Sequence, residues 1–110
     1  MKQFNSLSEL LNNSHYLNHN EWIYTNLDLW HQNPNDCIFY YITDDYINNL
    51  NDDEVYLDDE GLEMPIAVQS LNLGSFLIIG EIAYIYDKND KNIDKTIDEI
   101  NHYREFDGFL

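Results

Sequence analysis

The stretch Asn33-Pro34-Asn35-Asp36-Cys37-Ile38-Phe39-Tyr40-Tyr41-Ile42-Thr43-Asp44-Asp45 decides the fold class. It opens on a cluster of turn formers. Six apolar or aromatic residues, Cys37 to Ile42, then follow without interruption, and two aspartates close the run. A short apolar run bounded by turn signals reads as a strand buried on both faces, so it needs a sheet around it and cover above and below.

Working upstream, Trp22-Ile23-Tyr24-Thr25 is rich in aromatic and β-branched residues and reads as a second strand. Before it, Ser6-Leu7-Ser8-Glu9 is a capping box, in which the Ser hydroxyl and the Glu carboxylate satisfy free backbone amides. A helix over Leu7 to Asn13 follows from it, with Leu7, Leu10 and Leu11 on one face.

Working downstream, the segment Asp44 to Glu63 reads as mostly irregular, acidic chain pinned by Tyr46, Ile47, Leu50, Val55, Tyr56 and Leu57. In Met64 to Ser70, Ile66 and Val68 alternate as in a strand. From Leu71 to Tyr86 the apolar spacings of three and four predict a helix, almost entirely buried. Gly74 and Gly80 each weaken it by about 1 kcal/mol relative to Ala and would mark close packing on the sheet. Asp87 to Lys91 is a polar loop. A last helix spans Ile93 to Phe106, capped by Asn92 or Asp94, with Ile93, Ile97, Ile100 and Tyr103 or Arg104 facing inward. The apolar end, Phe106 to Leu110, packs down. The expected fold is α+β: one domain, with a small antiparallel or mixed sheet packed against two or three helices on one side. Phe39, Ile42, Ile66, Val68, Phe76, Ile79, Ile97 and Ile100 form the expected core.

Charge is the most informative property for function. The chain of 110 residues carries 21 Asp and Glu against 5 Lys and Arg, a net −16 at pH 7. Between Lys2 and Lys88 lie 15 carboxylates and no Lys or Arg. Nucleic acid and anionic membranes both require cationic contacts and should repel this chain. A cationic protein should be attracted and steered. Sixteen aromatic residues separate the chain from disordered acidic segments, which are poor in them. The opening Met1-Lys2-Gln3-Phe4 has no signal-peptide character, no stretch is long and apolar enough to span a bilayer, and the single Cys37 lies in the apolar run. The expectation is a cytoplasmic protein with Cys37 as a buried, inert thiol.

Residues that could carry chemistry read more simply as structure. His15 and His19 have the spacing of a helical metal pair but lie among Asn residues, so exposed loop histidines are expected. Asp87 to Asp98 can be laid on a calcium loop, but Lys91 is a cation, Asn92 stands where glycine is required, and Asp98 replaces the bidentate Glu. There is no GxSxG motif and no glycine-rich phosphate loop. No catalytic residue, metal or cofactor is expected. Trp22 and Trp30 read as core, with Trp30 also a candidate interface residue.

Several features together resemble a known family. They are a strand with Trp30 and then Asn35-Asp36-Cys37-Ile38, the Asp-rich stretch from Asp44 to Glu60, Gly61 leading into Met64-Pro65-Ile66-Ala67-Val68-Gln69-Ser70, and the end Asn101-His102-Tyr103-Arg104-Glu105-Phe106-Asp107-Gly108-Phe109-Leu110. The order is similar to that of small acidic immunity proteins of bacterial contact-dependent growth inhibition systems, the CdiI type. The resemblance implies a cytoplasmic antitoxin against one cognate toxin domain, commonly a nuclease and therefore basic. The alternative is an acidic nucleic-acid mimic that inhibits another basic nucleic-acid-binding protein. A small enzyme or cation-binding domain, a third class, has no positive support. The expected partner-binding residues are Asp44, Asp45, Asp52, Asp53, Glu54, Tyr56, Asp58, Asp59 and Glu60, where carboxylates alternate with aromatic and apolar anchors.

Overall fold

The computed structural model describes residues Met1–Leu110. Four strands form one antiparallel sheet: β1 (Lys2–Phe4), β2 (Trp22–Thr25), β3 (Phe39–Tyr41) and β6 (Gly74–Ile78), in the order β1-β3-β2-β6. A separate hairpin joins β4 (Val55–Leu57) to β5 (Glu63–Pro65). The helices are α1 (Leu7–Asn13), α2 (Leu27–Gln32), α3 (Asp44–Asn48), α4 (Ile79–Lys88) and α5 (Ile93–Phe106).

The strand over the deciding stretch exists, shortened to Phe39–Tyr41, and it lies inside the sheet between β1 and β2. Its side chains alternate between two cores. Phe39 packs in a cluster with Trp30, Phe76 and the leucines of α1, while Tyr40 packs in a second cluster with Tyr24, Ile47, Met64 and Val68. The period of two along a strand sends neighbours to opposite faces, so the helices α1, α2, α4 and α5 cover one face of the sheet and the segment from α3 to the 3-10 turn Ile66–Leu71 covers the other. The α+β class is as expected; the expectation that helices occupy one side only is corrected by this second layer.

Three rings hold the helical side together. Trp30 meets Phe76 edge-to-face at 4.7 Å and Phe39 at 6.2 Å, and Phe39 meets Phe76 at 5.4 Å. Trp30 lies on α2 rather than on a strand, and its indole N–H donates to Asn101 Oδ1 of α5 at 2.8 Å. One contact set thus ties α2, β3, β6 and α5.

Leu71 to Tyr86 is not one helix. Asn72 takes a left-handed conformation, β6 then pairs with β2, and α4 starts only at Ile79. Periodicity cannot separate a buried helix from a buried strand in so apolar a run. The junction lacks a side-chain cap; instead the amides of Ile79 and Gly80 donate to the carbonyls of Glu21 and His19 at 2.9 and 3.0 Å. A Cβ on Gly80 would stand 3.1 Å from that His19 oxygen, which explains the glycine. Beside Phe76 the ladder to β2 carries a bulge, which lets both Phe76 and Leu77 enter the helical-side core.

Met64 to Ser70 is likewise corrected. The strand ends at Pro65, a 3-10 turn follows, and Val68 three residues on is buried while Ile66 is 44% exposed. β1, at the sheet edge, carries no sequence signal of its own.

Helix α5 matches its expected bounds, with Asn92 rather than Asp94 as cap: its Oδ1 accepts from the Lys95 amide at 2.9 Å. It buries Glu99 fully. Oε2 of Glu99 accepts from Lys88 Nζ at 2.9 Å and from the Leu110 amide at 3.2 Å, and Oε1 accepts from Asn89 at 2.9 Å. Lys88 Nζ also donates to the Leu110 carbonyl oxygen. Burial alone would raise this carboxyl, but the bonds from Lys88, Asn89 and Leu110 outweigh it and hold the group below the usual carboxylate range. The C-terminal end packs down in part, with the Phe109 ring 4.7 Å from Tyr84 and 4.8 Å from Tyr103.

Two stability outcomes follow. Phe39→Ala should cost about 3–5 kcal/mol, a large share of the roughly 5–15 kcal/mol available to a domain, whereas Ile66→Ala should stay within about 1 kcal/mol because its side chain is half out of the core. Denaturant midpoints of the two variants check this contrast. Glu99→Gln should cost about 1–3 kcal/mol by leaving Lys88 and the tail amide poorly matched. Because the folded carboxyl sits below its unfolded value, its contribution is full above the ordinary carboxyl range and lost as pH falls through the lowered value. Thermal unfolding against pH, with hydrogen exchange of the Leu110 amide, reads both effects.

Candidate partner-binding surface

The acidic segment is an ordered layer with an apolar underside, not irregular chain. Thr43 caps α3 by accepting from the Tyr46 amide at 3.1 Å, and Asp44 and Asp45 occupy the first turn, where the helix dipole favours negative charge. Asn51 and Glu54 form a capping box around the 3-10 turn Asp52–Glu54. The hairpin then runs in the register Val55↔Pro65, Tyr56↔Met64 and Leu57↔Glu63. Its connection is organised by Asp58, whose Oδ1 accepts from the amides of Glu60 and Leu62, both at 2.9 Å. Gly61 supplies the left-handed residue the turn requires, at φ 78°.

Ile47, Met64 and Val68 are buried beneath this layer, with Tyr46, Val55 and Tyr56 half-buried beside them. Close like charges in water repel by about 1 kcal/mol per pair, less than the about 1.5–3 kcal/mol that each fully buried anchor contributes. The anchors therefore hold the layer down while its carboxylates stay outside. Of the nine carboxylates from Asp44 to Glu63, all but Asp58 are exposed. The molecule has two ion-pair contacts, His15–Asp87 at 3.4 Å and Lys88–Glu99 at 2.9 Å, and neither involves this layer. The acidic charge is thus uncompensated from within.

The expected binding residues do not form one patch. Asp58, Asp59 and Glu60 line a hollow of about 250 Å³ together with Asp28, Leu27 and Asn72. Asp53 and Glu54 line a separate hollow of about 260 Å³, with Tyr46, Leu50 and Ile66. Asp44 sits beside Glu21, whose Oε2 accepts the Asp44 amide at 3.4 Å. Tyr56 lies half-buried on β4, its phenol raised first by burial and then by Asp58 and Asp59. Glu21 and Asp28, from the β2–α2 region, were not among the expected residues; nothing in their local sequence sets them apart, and the fold alone brings them to the layer.

Tyr24 of β2 records the crowding. Burial first, and then Asp44, Glu21, Asp58 and Glu60 in turn, push its phenol up to about 12. Trp30 is 1% exposed, so its indole serves the core and not an interface. Cys37 is buried, and burial raises its thiol. His15 and His19 are exposed on the 3-10 turn Ser14–Tyr16 and in the loop after it. No three His, Cys, Asp or Glu side chains are grouped to hold a metal ion. No helix is long and apolar enough to cross a membrane. The chemistry this surface offers is attraction of cations at an apolar-backed, fixed set of carboxylates.

A phenol whose folded pKa exceeds its unfolded value of about 10 contributes fully below that pH and loses the contribution as pH rises through about 12. Stability should therefore fall across this alkaline window. Tyr24→Phe should flatten part of the fall; Tyr103, held near about 12 by its bond to Glu81, by burial and by nearby charge, should account for another part. Denaturant unfolding at a series of alkaline pH values, with tyrosinate absorbance, provides the measurement.

In comparisons with protein-family models, with curated proteins and with solved structures, the chain matches none.

Proposed function

We propose that this protein is an inhibitory binding module for a basic protein, acting in the cytoplasm as an immunity protein that neutralises a cognate toxin domain of nuclease type. One observation carries the reading: an ordered, apolar-anchored acidic layer whose charge no Lys or Arg of the chain offsets. Nine of the 21 carboxylates, with no Lys or Arg among them, lie in this one segment and are held on capped turns and a hairpin. A nuclease presents cations that hold phosphates, and a fixed array of carboxylates backed by apolar side chains can occupy the same cations. Charge sets how fast the two meet, while buried contacts set how long they stay. At physiological salt exposed charges act over about 8 Å, so clusters such as Asp58-Asp59-Glu60 count for more than net charge.

The test is co-expression with the product of any neighbouring reading frame that carries a toxin-type domain, followed by kinetics on the purified pair. Two double variants separate the two hollows: Asp59→Asn with Glu60→Gln, and Asp52→Asn with Asp53→Asn. Asp58 is left intact because it builds the turn. At least one double variant should keep its unfolding midpoint, associate several-fold more slowly and show a shallower salt dependence. Wild-type association by both, at low and high salt, would place binding outside the acidic layer.

A further inference from the structure

β6 is an edge strand. It pairs with β2 on one side only, and no backbone group of the chain bonds to its other side. Its sequence, Gly74-Ser75-Phe76-Leu77-Ile78, contains no proline and no charge, the usual devices that blunt an edge. The bulge beside Phe76 twists this edge, and Gly74, Ser75 and Ile78 remain half-exposed along it.

The open side faces a groove of about 460 Å³ that touches Ser75, Phe76, Leu77 and Ile78 in succession. Phe76 and Leu77 turn into the helical-side core at the bulge and are buried, so the half-exposed Ser75 and Ile78 are what this strand offers the groove. Trp22, 41% exposed, also lines it, and Tyr103 and Arg104 of α5 form the opposite wall. At the Gly74 end the groove shares Leu27 and Glu60 with the hollow under the hairpin turn, so the two make one trough along β6. Six carboxylates line the trough: Asp28, Asp58, Asp59, Glu60, Glu81 and Asp107. Oδ2 of Asp58 is buried without a hydrogen-bond partner. Against these stands one cation, Arg104, whose guanidinium lies over the Phe76 ring at 5.4 Å and forms no ion pair.

We infer that the β6 edge is the docking surface for an extended, Lys- or Arg-bearing segment of the partner, which joins the sheet as a fifth strand. The inference rests on the proposed basic partner and adds the mode of binding. Backbone bonds along β6 supply affinity, the carboxylates under the hairpin turn take a cationic side chain, and the exposed Trp22 receives an apolar one. A second copy of this chain is a poor occupant: pairing two β6 edges would set six carboxylates against six, in a molecule of net −16.

The probe is a capped peptide of alternating lysine and valine with a central tyrosine, compared with a copy N-methylated at every lysine and valine, which keeps the charge but loses the amide donors. Binding is read by the NMR shift of the Trp22 indole and by amide hydrogen exchange at low salt. The parent peptide should slow exchange across Gly74–Ile78, and the methylated copy should bind about tenfold more weakly. Charge reversal at two exposed positions, Asp28→Lys with Glu60→Lys, should weaken the parent while the unfolding midpoint is kept. Equal binding of both peptides, or protection confined to Asp52–Leu57, would overturn the edge proposal and leave the basic-partner reading standing. Failure of the cationic peptide to bind anywhere would overturn both. Sedimentation showing a dimer of the free protein with β6 protected would make the second copy the occupant and overturn the inference.

Discussion

Burial of the two middle strands on both faces is the constraint on which the rest of this structure depends. Ile23 and Phe39 face the helices, and Tyr24 and Tyr40 face the other way. A sheet with a tyrosine-rich second face has to be covered there, and the cover is made from the most acidic part of the chain. Apolar residues of that segment go down onto the tyrosines and the carboxylates go out, because an unpaired buried carboxylate costs far more than an exposed one. The fold therefore produces the charged surface as a consequence of closing its second core.

Four of the five cations lie on α4, on α5 and in the turn between them. Lys88 neutralises Glu99, the one fully buried carboxylate, and with it fixes the C-terminal residues. Arg104 lies on Phe76 of the aromatic trio. Lys91 follows α4 in a left-handed turn, and Lys95 lies in the first turns of α5. None of these is paired with the layer over Tyr24 and Tyr40. Only Lys88 of these is ion-paired, and the segment from Asp44 to Glu63, with nine carboxylates and no Lys or Arg, is left wholly negative.

This arrangement separates two physical tasks. The exposed carboxylates act at the range of the screened field and would govern encounter with the proposed basic partner. The groove along β6 would act only at contact, and under the proposed docking would govern residence. The two meet at Glu60, which stands both on the hairpin turn and at the wall of the groove. A protein binding the layer alone would be held by charge and released by salt; one that also engaged the edge would be held by hydrogen bonds that salt screens little.

The sequence by itself determined what depends on local signals. The capping box placed α1 at Leu7–Asn13, β-branched and aromatic residues placed β2 at Trp22–Thr25, and the apolar stripe placed α5 at Ile93–Phe106. The acidity, the two-sided burial of the third strand and the apolar anchors among the aspartates were equally legible, because each is a property of neighbouring residues. Tertiary structure alone decided that Leu71 to Tyr86 divides into a strand and a helix, that Ile66 turns outward, and that Glu21 and Asp28 join Asp44, Asp58 and Glu60 around the layer. The reason is the same in each case. A run buried on every side has no periodicity to read, so its backbone conformation is set by the partner that bonds to it, here β2. Surface carboxylates have no local signature of their neighbours, so their grouping exists only once distant segments have packed.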